Sequence, residues 1–205
     1  MIIKTDKVGC RMILQISRHI TRSLVQNSII NFDDFSIYQY GLEVLLITLF
    51  ETLGILIVAI MTGYVIEALV FITAFCSIRA YAGGYHAKTV TTCFLSFLGL
   101  GGITVIFAKL LQMASLPWLS VLIASIAFLV IYKFAPVAVS NRPITESERR
   151  KFRSISIQLT LVYLVAVIAL VVAQKYLWYV GVFSMGLLLE ALTLLVEKYR
   201  EEYGL

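Results

Sequence analysis

The sequence predicts an all-α membrane protein, with about six transmembrane helices preceded by a basic amphipathic N-terminal helix. Two observations lead there. Of the 205 residues, 60% are hydrophobic and only 14% charged, with a mean hydropathy of +0.92; soluble domains run near roughly 45–50% apolar and about 25% charged. The apolar residues also gather into long stretches, and at roughly 20 residues per crossing the chain has room for about six spans and little else. A soluble catalytic domain, a dinucleotide-binding domain and an extracellular disulfide scaffold are excluded on space. The expected organisation is one integral membrane domain over 1–205: an interfacial segment (1–40), a bundle (41–196) and a tail (197–205).

Taken in chain order, the first element is a helix around residues 11–24. At 100° per residue Ile13, Ile20 and Leu24 share one direction, while Arg11, Arg18 and Arg22 cluster opposite. Such a helix lies along a membrane surface with its apolar side in the headgroup boundary, or packs that side on the protein's own bundle. His19, on its flank, reads as a solvated interfacial residue. Six spans follow, at Gly41–Met61, Tyr64–Ile78, Cys93–Leu111, Pro117–Ala135, Ile155–Ala173 and Leu177–Val196. The second is short and is expected to tilt, embed partly or continue into the connection after it. Gly99, Gly101 and Gly102 are expected to allow close helix packing. Without a following Gly-Lys-Ser/Thr they are not a phosphate loop. No cleavable leader is expected ahead of the first span.

Lysines and arginines orient these spans. With the N-terminus cytoplasmic, five lie before Gly41, two (Arg79, Lys88) follow the second span, six run from Lys133 to Arg153 and two occupy the tail. Lys109 and Lys175 alone fall outside. Both termini and the two long connections are therefore expected in the cytoplasm of a multi-pass cell-membrane protein. The net charge of +5 reports topology and contact with anionic membrane lipid, with no nucleic-acid partner. The three cysteines, Cys10, Cys76 and Cys93, lack CxxC spacing, which argues against a disulfide framework or a zinc site. No metal and no cofactor is expected.

Chemistry concentrates in the connection Ile78-Arg79-Ala80-Tyr81-Ala82-Gly83-Gly84-Tyr85-His86-Ala87-Lys88-Thr89-Val90-Thr91-Thr92-Cys93. It holds one of two histidines and, seven residues on, one of three cysteines. A cysteine nucleophile needs a nearby base, and histidine is the usual partner. One straight helix would put His86 and Cys93 on the same face but about 10 Å apart along the axis, whereas a hydrogen bond needs about 3 Å. A dyad therefore requires a break. Gly83-Gly84 and the β-branched Thr89-Val90-Thr91-Thr92 favour one. Thr91 or Thr92 is a candidate N-cap, which puts Cys93 in the first helical turn, where the helix dipole favours a thiolate.

Arg79-x-x-x-Gly83-Gly84-x-His86-Ala87, with Cys93 following, resembles the signature of the accessory gene regulator B (AgrB) family of bacterial membrane peptidases. The likeness extends to Ala135-Pro136, to Asn141-Arg142-Pro143-Ile144 and to Glu190-Ala191-Leu192-Thr193-Leu194-Leu195. The resemblance implies a cysteine endopeptidase that removes the C-terminal part of a short AgrD-like propeptide, the retained part becoming a cyclic thiolactone or lactone quorum-sensing signal. It implies Cys93 as nucleophile and His86 as general base. Arg79 and Gly84, with Gly83 beside it, match other functional positions of the motif. A homodimer is also implied.

Other candidates are weaker. Glu43, Glu51, Glu67 and Glu190 fall within apolar spans, where carboxylates usually face protein or water. Glu43 and Glu190 lie near span ends and can reach the interface. Glu43 or Glu67 is a candidate to orient His86 or Arg79. The more central Glu51 supports a rival reading as a small proton-coupled transporter, and a non-catalytic membrane scaffold is a third. Arg149, Arg150 and Lys151, in the run Glu146–Arg153, either capture an acidic propeptide tail or form a topology-setting basic loop. Pro143 marks a fixed turn.

Overall fold

A computed structural model describes residues 9–85, 90–137 and 145–203. These residues form α1 (Gly9–Gln26), a short 3-10 turn at Phe32–Asp34, α2 (Phe35–Thr62), α3 (Val65–Ala82), α4 (Val90–Met113), α5 (Pro117–Phe134), α6 (Glu146–Val172) and α7 (Leu177–Tyr203). Among the described residues there is no strand, and six helices, α2 to α7, are long and apolar enough to cross a membrane. Their outer faces are apolar: Leu49, Leu53 and Ile57 on α2, Leu122 and Leu129 on α5, and Val162 and Val165 on α6 are all exposed. Contiguous apolar surface of this kind suits lipid and not water.

The chain divides into two compact units, residues 1–58 with 87–98 and residues 59–86 with 99–205. In the first, α1 turns Ser17 and Thr21 inward at 0% exposure and leaves Arg18 and Arg22 outside. That inward face rests on α2, the second of the two readings open for this helix. The Ser17 hydroxyl reaches Glu43 Oε1 (3.4 Å), which also accepts from the Gln39 amide (2.8 Å). The start of α4 seats on α2 through Phe94, whose ring lies 5.5 Å from that of Phe50 and covers Gly54.

The second unit is built around α7, the most buried span, which packs on α3, α5 and α6. Its core joins Ala74, Ile78 and Ala82 of α3, Ala124, Ala127 and Ile131 of α5, Val167 and Val171 of α6, and Leu187, Ala191 and Leu194 of α7. Small residues set the spacing: a Cβ on Gly186 would lie 3.0 Å from Ala74 Cβ, and one on Gly181 3.3 Å from Ala108 Cβ. Gly99 and Gly102 differ from expectation, since a Cβ on either would meet no atom within 4 Å.

Several helices run further than their apolar stretches. The second span continues four residues to Ala82, which brings it to 18 residues, or about 27 Å. α6 starts at Glu146, nine residues before the apolar run, so the basic segment is helix and not loop. Its start is a capping box: the Thr145 hydroxyl accepts from the Glu148 amide (3.3 Å), and the Glu148 carboxylate accepts from the Thr145 amide (3.0 Å). Arg153, one turn further on, donates to Ala135 O (2.9 Å) and Tyr132 O (3.0 Å), satisfying carbonyls at the end of α5.

Candidate functional site

At the end of α3 the chain leaves the helix at two glycines, and each is required. Gly83 has φ +78°, and a Cβ there would lie 2.6 Å from Val137 O. Gly84 has φ +138°, and its Cβ would lie 2.8 Å from Thr193 Oγ1, 2.9 Å from Arg79 Nη1 and 3.2 Å from Glu190 Oε1. The backbone of this bend is held at several points. Gly83 N–H donates to Arg79 O (3.1 Å), Val137 N–H to Ala82 O (3.0 Å) and Tyr85 N–H to Thr193 O (3.0 Å), while the Arg79 guanidinium donates to Tyr85 O.

Arg79 is thus the centre of a polar clamp between α3 and α7. Its Nη1 meets Glu190 Oε2 at 3.2 Å and Thr193 Oγ1 at 3.0 Å. The Thr193 hydroxyl lies 3.1 Å from Glu190 Oε2 and 2.9 Å from the Glu190 carbonyl, to one of which it donates. The Phe75 ring lies 5.4 Å from the guanidinium carbon, and the Arg200 guanidinium stands 5.2 Å from the centre of the Tyr85 ring. The side chain of Glu190 is fully buried (0%) and that of Arg79 half-buried (17%). Glu190 Oε1 has no hydrogen-bond partner among the described residues. A buried ion pair of this kind stands only with good geometry and further hydrogen bonds; Thr193 supplies such a bond to Glu190 Oε2 and leaves Oε1 without one among the described residues.

The carboxylate on Arg79 is therefore Glu190, not Glu43 or Glu67. Glu43 accepts from Gln39, and Glu67 from the Trp178 indole (2.7 Å). α7 runs on to Tyr203, which places Glu190 mid-helix. Two signals for it were present: a lone carboxylate within a span, which defaults to a functional position, and a threonine three residues later on the same helix face.

Of the other site residues read from the sequence, Arg79, Gly83 and Gly84 come together in the clamp. α3 ends at Ala82, residues 83–85 are non-helical and α4 starts at Val90; residues 86–89, where the dyad's break is expected, lie outside the described residues. Thr91 and Thr92 are consequently the second and third residues of α4 and not its cap. Cys93 is the fourth, half-buried in the first turn. His86 lies outside the described residues, as do Ala87, Lys88 and Asn141-Arg142-Pro143-Ile144. Arg149, Arg150 and Lys151 are exposed on the first turns of α6. Arg149 joins Lys133, Arg153, Lys198 and Glu201 around a cavity of about 150 Å³, in which Lys198 pairs with Glu201 at 2.9 Å. Among the described residues no three His, Cys, Asp or Glu side chains are grouped to hold a metal ion.

Fold and clamp together define a polytopic helical membrane protein with a buried polar bend. The family model for Accessory gene regulator B matches residues 17–194. Putative AgrB-like protein 2 of Clostridium perfringens (strain 13 / Type A) is 30% identical over 166 residues, covering 75% of this chain and 74% of that protein. Accessory gene regulator protein B of Staphylococcus aureus (strain MW2) is 28% identical over 168 residues, 80% of this chain and 84% of that one. The protein of the same name from Staphylococcus intermedius is 25% identical over 173 residues, 79% and 82% of the two chains. No solved structure matches. The chain belongs to the accessory gene regulator B family.

Proposed function

We propose that the protein is a cysteine endopeptidase of the bacterial cytoplasmic membrane that matures a cyclic quorum-sensing peptide. The observation that carries this reading is the Arg79-x-x-x-Gly83-Gly84-x-His86 sequence followed by Cys93, on a chain of this family. Support comes from the glycine bend that precedes His86 and from the position of Cys93 in the first turn of α4, where the helix dipole favours a thiolate. The substrate is an AgrD-like propeptide, both termini and the catalytic connection face the cytoplasm, and the working form is a homodimer.

The chemistry balances without ATP. The Cys93 thiolate attacks a propeptide carbonyl, and amides of the helix start are natural donors to the oxyanion. The carbon–nitrogen bond breaks as protonated His86 gives its proton to the leaving amine, and a thioester remains on Cys93. A thiol or hydroxyl within the retained fragment gives its proton to His86, attacks that thioester and closes the ring, which releases the Cys93 thiolate. Water must be excluded meanwhile, a task suited to a pocket flanked by membrane.

The test is processing of a propeptide encoded beside this gene in cells. Cys93→Ser and His86→Ala are expected to abolish cleavage with membrane insertion intact, and mild acid quenching of the parent is expected to trap a propeptide fragment on Cys93 by mass spectrometry. Full cleavage by Cys93→Ser overturns the reading.

A further inference from the structure

We infer that Glu190 and Thr193 are positioning residues for His86, acting through Arg79 on the peptide unit that leads into it. This rests on the dyad proposed above. Tyr85 is bonded to His86, and both polar groups of Tyr85 are fixed to the clamp: its N–H to Thr193 O (3.0 Å) and its carbonyl to the Arg79 guanidinium. Arg79 is placed in turn by Glu190 Oε2 (3.2 Å) and Thr193 Oγ1 (3.0 Å). Gly84, with no side chain, lets these groups close directly over the bend. An imidazole that must meet a sulfur within about 3 Å follows a residue whose backbone N–H and carbonyl are both bonded, on a stretch where two glycines would otherwise loosen the chain. Neither Glu190 nor Thr193 needs to touch substrate. Their part is to hold a cation that holds a carbonyl.

The experiment needs no propeptide. The full chain, with Cys10→Ser and Cys76→Ala so that Cys93 is its single thiol, is purified in detergent micelles. Its alkylation by iodoacetamide is followed by mass spectrometry from pH 5 to 9, alone and with His86→Ala. The difference between the two curves is the His86-dependent reactivity of Cys93. Thr193→Val, which keeps shape and removes the hydroxyl, and Glu190→Gln, which removes the charge, are each expected to lower that component about tenfold, the scale of one hydrogen bond to an ion. Thr193→Ser is expected to retain it. If Glu190→Gln fails to fold, the Thr193→Val and Thr193→Ser pair decides. Variants that melt earlier but alkylate along the parent curve overturn the inference and leave the dyad standing. A parent curve identical to that of His86→Ala overturns the dyad itself.

Discussion

Replacing Gly84 with alanine puts the geometry of the bend to a quantitative test. At φ +138° an L side chain is strained by about 1–3 kcal/mol. The added Cβ also falls 2.8 Å from Thr193 Oγ1 and 2.9 Å from Arg79 Nη1, inside contact distance of two groups that hydrogen bonds hold in place. Overpacking of this sort costs about 1–3 kcal/mol. Against these stands a gain of roughly 0.4–1 kcal/mol from a stiffer unfolded chain. A net loss of about 1–6 kcal/mol results, which for a chain of this size lowers the melting temperature on the order of 10 °C. Thermal unfolding in detergent, followed by circular dichroism, reads it. Gly99→Ala is the control: beyond its own helix backbone, no atom of the described residues lies within 4 Å of its Cβ position in α4, and a helical glycine gains about 1 kcal/mol on becoming alanine, so its melting point holds or rises. Gly84→Ala melting within about 2 °C of the parent, with Gly99→Ala behaving as stated, would refute the close packing of the clamp.

Two further outcomes are expected. Gly54→Ala puts a Cβ 2.2 Å from Phe94 Cε2, so it is expected to lower stability by about 1–3 kcal/mol, and Phe94→Leu in the same chain is expected to restore most of it; additive losses in the double variant would deny the contact. The orientation set by the basic residues is read with a membrane-impermeant maleimide on cells carrying one introduced cysteine each: Ser115→Cys is expected to label in intact cells and Ser147→Cys only after lysis, and the reverse pattern overturns the orientation.

The spans were legible because lipid imposes a simple demand, a run of apolar residues about 20 long, and every run expected to cross became a helix. Their ends were not, since hydropathy marks where lipid stops and helices stop where capping does. The start of α6 shows the difference: Thr145 and Glu148 cap each other and start the helix nine residues ahead of the apolar stretch, at Glu146, a local signal that the hydropathy of Ile155 onward does not carry. Arg79, Gly83 and Gly84 were legible as a group because they are neighbours in sequence. Their partner is 111 residues from Arg79, and spacing alone could not choose among the carboxylates on the other spans. Gly99 and Gly102 show the opposite error: small residues permit close approach but do not require it.

The reason a bundle should keep this ion pair lies in the burial of the bend. Gly84 is buried, with Arg79, Glu190 and Thr193 closed around it. Buried non-helical backbone survives only if protein satisfies its polar groups. Tyr85 takes its acceptor from Thr193 O, but its carbonyl needs a donor with reach, and Arg79 supplies one from a turn and a half earlier on the same segment. Arg79 then brings a charge into the bundle that needs an anion, and Glu190 meets it with Thr193 bridging. Exchanging Arg79 and Glu190 together for apolar residues removes two buried charges, often at little net loss, yet it strands the Tyr85 carbonyl. A straight α3 would need none of these groups, so their burial is the consequence of bending the chain one residue short of His86.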